Sequence, residues 1–263
     1  MHANLWRWVM NEREESEGVL LFGIDCATDP RHVGLAHGWW TGGKPRVVEM
    51  TAAGGAVQPV DWIIDRIRRH RGCSCLLALD APLGWPAAFG SALSTHSAGN
   101  PINTQPVNFF RRETDRFIAR TVGRRPLDVG AERIARTALA ALQLISRLSQ
   151  RLGEPIPLVW APDYPCGLGA VEVYPAGVLQ VLDLPASSYK DEEHRPVREK
   201  ILVGLREQID LPEDASAALD DADVLDALVC ILAGADFLAG RAMPPEDTDL
   251  AMKEGWIWVR RPT

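Results

Sequence analysis

Apolar residues recur along this chain in two rhythms. Short apolar runs bounded by turn residues predict strands over 19–26 and 33–40, joined as a hairpin across Asp29-Pro30-Arg31. A third strand is predicted over 46–50, after the Gly42-Gly43 break. The period then lengthens to about 3.6, and Trp62, Ile63, Ile64 and Ile67 predict a helix over 60–69. The fully apolar run 75–79 reads as a central strand with Asp80 at its C-terminal end. Pro82, Gly84 and Pro86 then force a loop.

The middle of the chain is helical in pattern. A polar, irregular stretch over 91–106 has the composition of a lid, and helices are predicted over 109–121 and 131–152, with Gly153 capping the second. A proline-rich connection, 155–165, holds one short extended segment at 158–160, and a strand over 171–174 is closed by Pro175. Helices are predicted over 177–182 and 195–209. The final helix is capped by Asp220 or Asp221 and runs to about residue 239, with Leu225, Leu228, Leu232 and Ala235 on one stripe. Residues 256–259 read as a last strand or a packing tail. This order predicts an α/β fold whose sheet is mixed, its first three strands antiparallel and the rest parallel, flanked by helices. One domain is expected over 19–263, with a helical insertion at about 90–153 and an N-terminal extension over 1–18.

Against this apolar frame, five carboxylates are out of place. Asp25 ends the first strand and Asp80 the central one, where open α/β sheets gather ligands. Both also suit ordinary turn acids. Gly23, two residues before Asp25, leaves that face of the strand open to close approach. Asp223 and Asp226 are spaced to share one helical face. Asp223 is also explained by the helix dipole, but Asp226 lies a turn further in, between apolar residues. Glu172 alternates with Val171 and Val173 and so faces either the site or solvent. Buried carboxylates need a cationic partner, and a shared divalent metal would serve them all.

Composition narrows the setting. At 263 residues and 46% hydrophobic content the chain sustains a full core, and it has no apolar run of about 18–20 residues to span a membrane. Its five cysteines, odd in number and mostly in apolar stretches, suit a reducing, cytoplasmic compartment better than a disulfide framework. The net charge of −7 excludes a strongly basic nucleic-acid binder. Yet residues 111–151 hold ten arginines against four acids, so this segment carries +6 and the remainder −13. Such a stretch is either a solvated helical face or a surface for a polyanion.

Several motifs in order carry a resemblance. They are Gly23-Ile24-Asp25, Leu79-Asp80-Ala81-Pro82-Leu83-Gly84, Arg112-Glu113-Thr114-Asp115-Arg116, Val171-Glu172-Val173-Tyr174-Pro175-Ala176, residues 223–228 and Glu254-Gly255-Trp256-Ile257. Together they resemble the family of domain of unknown function 429, described as predicted RNase H-like nucleases, over nearly the whole chain from about residue 19. The resemblance implies an RNase H-like fold. Its Asp-x-x-Asp-Ala-Leu helix is similar to the last acidic helix of RuvC-type resolvases, although Asp80 stands where glutamate is more usual there. It implies that Asp25, Asp80, Asp223 and Asp226 bind Mg²⁺ or Mn²⁺, with Glu172 a further catalytic or accessory acid. Arg112, Arg116, Arg133 and Lys190 match family-like segments to which the family gives no role. By their chemistry they are either contacts to a nucleic acid or another phosphoester, the arginines clamping phosphate and Lys190 acting as a point charge, or ordinary surface and ion-pair positions. The expected activity is phosphodiester hydrolysis by two metal ions about 3.5–4 Å apart. A non-catalytic binding module with an acidic cleft remains an alternative. An actin-like phosphotransferase is another, although Gly42-Gly43 and Gly54-Gly55 form no Walker-type loop.

Overall fold

In a computed structural model of the chain, residues 18–102, 104–130, 132–163 and 167–262 are described. The extension expected over 1–18 therefore lies outside the described residues, Gly18 apart, as does Cys166. The sheet begins with three antiparallel strands, β1 (Val19–Asp25), β2 (Gly34–Trp40) and β3 (Arg46–Ala52). After helix α1 (Pro59–Arg69), β4 (Ser74–Asp80) joins the other side of β1 in parallel, and β5 (Leu168–Glu172) adds parallel to β4. The strand order is β3-β2-β1-β4-β5. This is the mixed α/β sheet that the apolar pattern predicts.

β1 and β4 are apolar at almost every position because both faces of the sheet are covered. Leu20, Phe22, Ile24, Cys75, Leu77 and Leu79 face α1 and the long helix α5 (Glu132–Leu152), which contributes Ala141 and Leu148. Leu21, Leu76 and Ala78 face the other way, toward α9 (Ala222–Leu238). Around α9 lie α6 (Pro175–Val181), α7 (Arg195–Leu205) and α8 (Ser216–Asp220). α9 is buried on every side except at Asp223, which explains its near-continuous apolar sequence. No helix among the described residues is long and apolar enough to cross a membrane.

Several predicted boundaries move, for local reasons. The helix expected over 109–121 is two helices, α3 (Pro106–Phe110) and α4 (Glu113–Thr121). Arg112 breaks it by taking an extended backbone, φ −76° and ψ 164°, and its N–H donates to the Asp115 carboxylate as part of a capping box. The polar stretch 91–106 is partly regular, since α2 (Ala87–Leu93) enters it. The strand expected over 171–174 starts earlier and ends at Glu172, because Tyr174 becomes the N-cap of α6 with Pro175 in its first turn. The helix expected to reach 209 stops at Leu205. Ile257 makes an isolated parallel bridge to Glu172, so residues 256–259 are a packing tail and not a full strand. The short helices α8 and α10 (Thr248–Glu254) have no counterpart in the apolar pattern.

Helix α9 lies on the sheet backbone to backbone. A Cβ built at Gly23 would stand 1.9 Å from the carbonyl oxygen of Ala227, and one at Gly34 would stand 1.9 Å from that of Asp223. Both obstacles are main chain and cannot swing aside. Gly23→Ala is therefore expected to destabilise the protein by about 3 kcal/mol, the upper end for an overpacked site. Urea denaturation measures this, and a change below about 0.5 kcal/mol would show that α9 does not seat on β1.

Candidate metal centre

Strand pairing brings the first two acids together. Asp25 and Asp80 are register partners at the C-terminal ends of the parallel strands β1 and β4, so they stand side by side. The pleat turns both toward α9, on the face shared with Leu21, Leu76 and Ala78. α9 begins at this same end of the sheet, where the Asp221 side chain caps it by accepting from the N–H groups of Asp223 and Val224. That start places Asp223 in the first turn and Asp226 one turn later, with the positive end of the helix dipole nearby. One carboxylate oxygen each from Asp25, Asp80 and Asp226 lie within 4.8 Å of one another. Asp223 stands beside them, close enough for its charge to act on Asp25 and Asp80.

The cluster is electrostatically strained without added positive charge. Burial, and then the charges of Asp226 and Asp80, hold the Asp25 carboxyl well above the usual carboxylate range. Burial followed by Asp226 pushes Asp80 up to about 7. Asp223 is raised as well, by burial and then by Asp221. Two groups answer this charge directly. The Tyr189 hydroxyl donates to Asp226 Oδ1 at 2.7 Å, and Lys190 Nζ lies 2.6 Å from Asp226 Oδ2. Burial disfavours the charged lysine, but the attraction of Asp226, Asp25 and Asp80 outweighs it and raises its pKa. Arg198, itself buried, donates to the backbone carbonyls of Tyr189, Asp191 and Leu219 and so holds this segment over the acids.

The sequence model of a family described as "Protein of unknown function (DUF429)" matches residues 23–249. The chain belongs to the DUF429 family. The matched span includes Asp25, Asp80, Asp226 and Lys190. Among curated proteins, none matches the chain. The acid cluster of this DUF429 chain suits a hard divalent cation, since all its donors are carboxylate oxygens and it contains no thiolate or imidazole. Asp25, Asp80 and Asp226 would hold such an ion, with Asp223 flanking it.

Glu172 and Arg112 take a different part from the catalytic acid and the phosphate contact expected of them from the sequence. Glu172 is in register with Leu79 and not with Asp80, so the pleat turns it away from the cluster. It does not reach solvent either. Arg112, only 1% exposed, grips it through two hydrogen bonds of 2.7 and 2.8 Å, and the Leu83 N–H donates to it at 2.9 Å. Asp115 takes the other edge of the same guanidinium, and the Glu254 carbonyl accepts from it at 3.3 Å. The Glu254 carboxylate accepts from the N–H groups of Ala87 and Glu113. Gly255 has φ 86°, and a side chain there would press on both Glu172 and Arg112. The Arg-Glu-Thr-Asp and Glu-Gly-Trp motifs are thus a buried lock, which fastens the loop after β4 to α4 and α10. Arg112 has no donor left for a phosphate. Neither the cap at Arg112 nor its long-range partner Glu172 was readable in the sequence, since arginine is not the residue type that marks a capping box.

The other cationic candidates divide. Arg116 pairs with Glu113 and donates to the Arg111 carbonyl. Arg133 is exposed in the first turn of α5, and α5 packs on α1 across the sheet from the acids. Lys190 alone of the four touches the acid cluster. The arginine-rich stretch is mostly paired, for example Arg111 with Asp128, Arg136 with Glu132 and Arg151 with Asp61. A cavity of about 460 Å³ opens between α1 and α5, lined by Cys26, Val33, Pro59, Leu144 and Arg147. It lies on the face of the sheet away from α9 and contains none of the clustered acids.

Two substitutions separate these two carboxylate sets. In the metal-free folded protein Asp80 keeps its proton up to about pH 7, whereas in the unfolded chain it loses it near pH 4. The folded state therefore binds more protons in that window, and stability falls as pH rises through it. Above pH 7 with a chelator, Asp80→Asn is expected to be more stable than the wild type by about 2 kcal/mol, a value discounted because the residue is only half-buried. Millimolar Mn²⁺ should raise the melting temperature of the wild type but not of that variant. Glu172→Gln, in contrast, strips a buried cation of one partner and should cost about 3–5 kcal/mol in denaturation while leaving Mn²⁺ affinity within about twofold.

Proposed function

We propose that this DUF429 protein is a metal-dependent phosphoester hydrolase of the nuclease class, working in the cytoplasm. One observation carries this reading: three carboxylates from two parallel strand ends and one helix converge to within 4.8 Å, with a lysine ammonium held against them. Burial of the thiols Cys26, Cys75 and Cys230 supports the reducing setting. Bound Mg²⁺ or Mn²⁺ would polarise a phosphoryl oxygen and acidify a water.

The chain's residues supply the rest. Asp25, Asp80 and Asp226 fix the position of positive charge, and Tyr189 holds the Asp226 carboxylate in one orientation. In the reaction, water oxygen bonds to phosphorus, the ester P–O bond breaks, and the departing alkoxide takes up the proton that the water releases. Where the substrate is a nucleic acid, Lys190 at the centre and Arg116 are the remaining basic candidates for its phosphates, Arg133 lying across the sheet. Their contribution should fall as salt rises.

The test is turnover of DNA, RNA and a small phosphodiester by purified protein with Mn²⁺. Asp25→Asn, which keeps shape and removes charge, is expected to lower turnover by about a hundredfold or more. Equal turnover by the variant would remove Asp25 from the centre, and metal-bound protein without turnover on any phosphoester would leave a binding module in place of an enzyme.

A further inference from the structure

We infer that Lys190 is the second cation of this centre: the site takes one divalent ion, and the lysine ammonium stands where a two-metal site would place the other. The inference rests on the metal-dependent reading above and changes what the site is made of. Among the described residues, Asp25, Asp80 and Asp226 form a single three-ligand group, enough for one ion. A second ion on the Lys190 side would need Asp226 Oδ2, and the ammonium already stands against that oxygen. Oδ1 accepts from Tyr189 at 2.7 Å, and the buried Oδ2 has no hydrogen-bond partner apart from the Lys190 ammonium at 2.6 Å. A metal–oxygen bond of about 2.1 Å on that side would occupy the space of the ammonium itself.

The lysine is not a passing surface side chain. Arg198, 2% exposed, donates 2.6 and 2.8 Å hydrogen bonds to the carbonyls of Tyr189 and Asp191, the residues on either side of it. Its third bond, to the Leu219 carbonyl, ties the segment to the end of α8 that leads into α9. Tyr189 is buried between them. Both backbone neighbours of Lys190 are thus clamped, and its ammonium is aimed at Asp226. The side chain still has 56% exposure, so a phosphoryl oxygen of a substrate can reach it. An ammonium there would neutralise charge on the phosphoryl group without needing a hydration shell removed from a second ion.

Counting Mn²⁺ on the full chain by isothermal titration and equilibrium dialysis tests this without any substrate. The wild type is expected to bind one ion and Lys190→Met two, because the substitution empties the second cation position and frees Asp226 Oδ2. The variant changes a half-exposed side chain and should fold, which its melting curve checks. One ion in both chains, or two in the wild type, overturns the inference. Two in the wild type still leaves the metal-dependent hydrolase standing, whereas none in either chain removes that reading and this inference with it.

Discussion

The contact on which this molecule depends is between two backbones. Helix α9 sits so close to β1 and β2 that Gly23 and Gly34 have no room for a Cβ against the carbonyls of Ala227 and Asp223. A helix held off by ordinary side chains would carry Asp223 and Asp226 away from the strand ends. Because it is not held off, its first turns descend to the level of Asp25 and Asp80, and oxygens from three elements come within one ion's reach. Packing density thus becomes a coordination geometry.

That end of the sheet holds two sets of carboxylates with opposite electrostatic character. Glu172 and Asp115 share a fully buried arginine between them, and their charges are matched by hydrogen bonds at both edges of the guanidinium. Such a set is complete and serves as a fastener, since loss of any member leaves a buried charge exposed to no partner. Among the described residues Asp25, Asp80, Asp223 and Asp226 have one lysine between them, and burial, followed by repulsion from neighbouring carboxylates, keeps the pKa values of Asp25, Asp80 and Asp223 raised. Uncompensated negative charge at the mouth of a sheet is costly to stability and is what a divalent cation relieves. Asp80 and Leu83, three residues apart, belong to different sets, and the pleat turns Asp80 and Glu172 to opposite faces of the sheet.

Periodicity carried far in this chain because its elements are strongly patterned. The hairpin, the central strand and the buried final helix were all legible, since runs apolar on two faces can only be central strands or fully covered helices. Asp25, Asp80 and the Asp223/Asp226 pair were legible for the converse reason, as charges within such runs. The break at Arg112 was not, because an arginine followed by a helical pattern reads as surface unless its buried partner, 60 residues later, is known. Tyr189 and Lys190 sit in a polar loop with no periodicity, so no local signal tied them to Asp226.

The sequence by itself determined the sheet strands, the long helices and which acids stand at their ends, since those follow from local periodicity, turn chemistry and the cost of burying charge. Only the tertiary structure decided which acids share a site. Strand register set Asp80 beside Asp25 but Glu172 beside Leu79, and a shift of one residue in a pleated strand reverses the face a side chain takes. The same holds for the cations: ten arginines in one segment suggested a basic surface, but most meet carboxylates, and the cation at the acid centre is a lysine from elsewhere. Charge can be read along the chain, but its partner is chosen by folding, because Coulomb attraction acts across space and not along sequence.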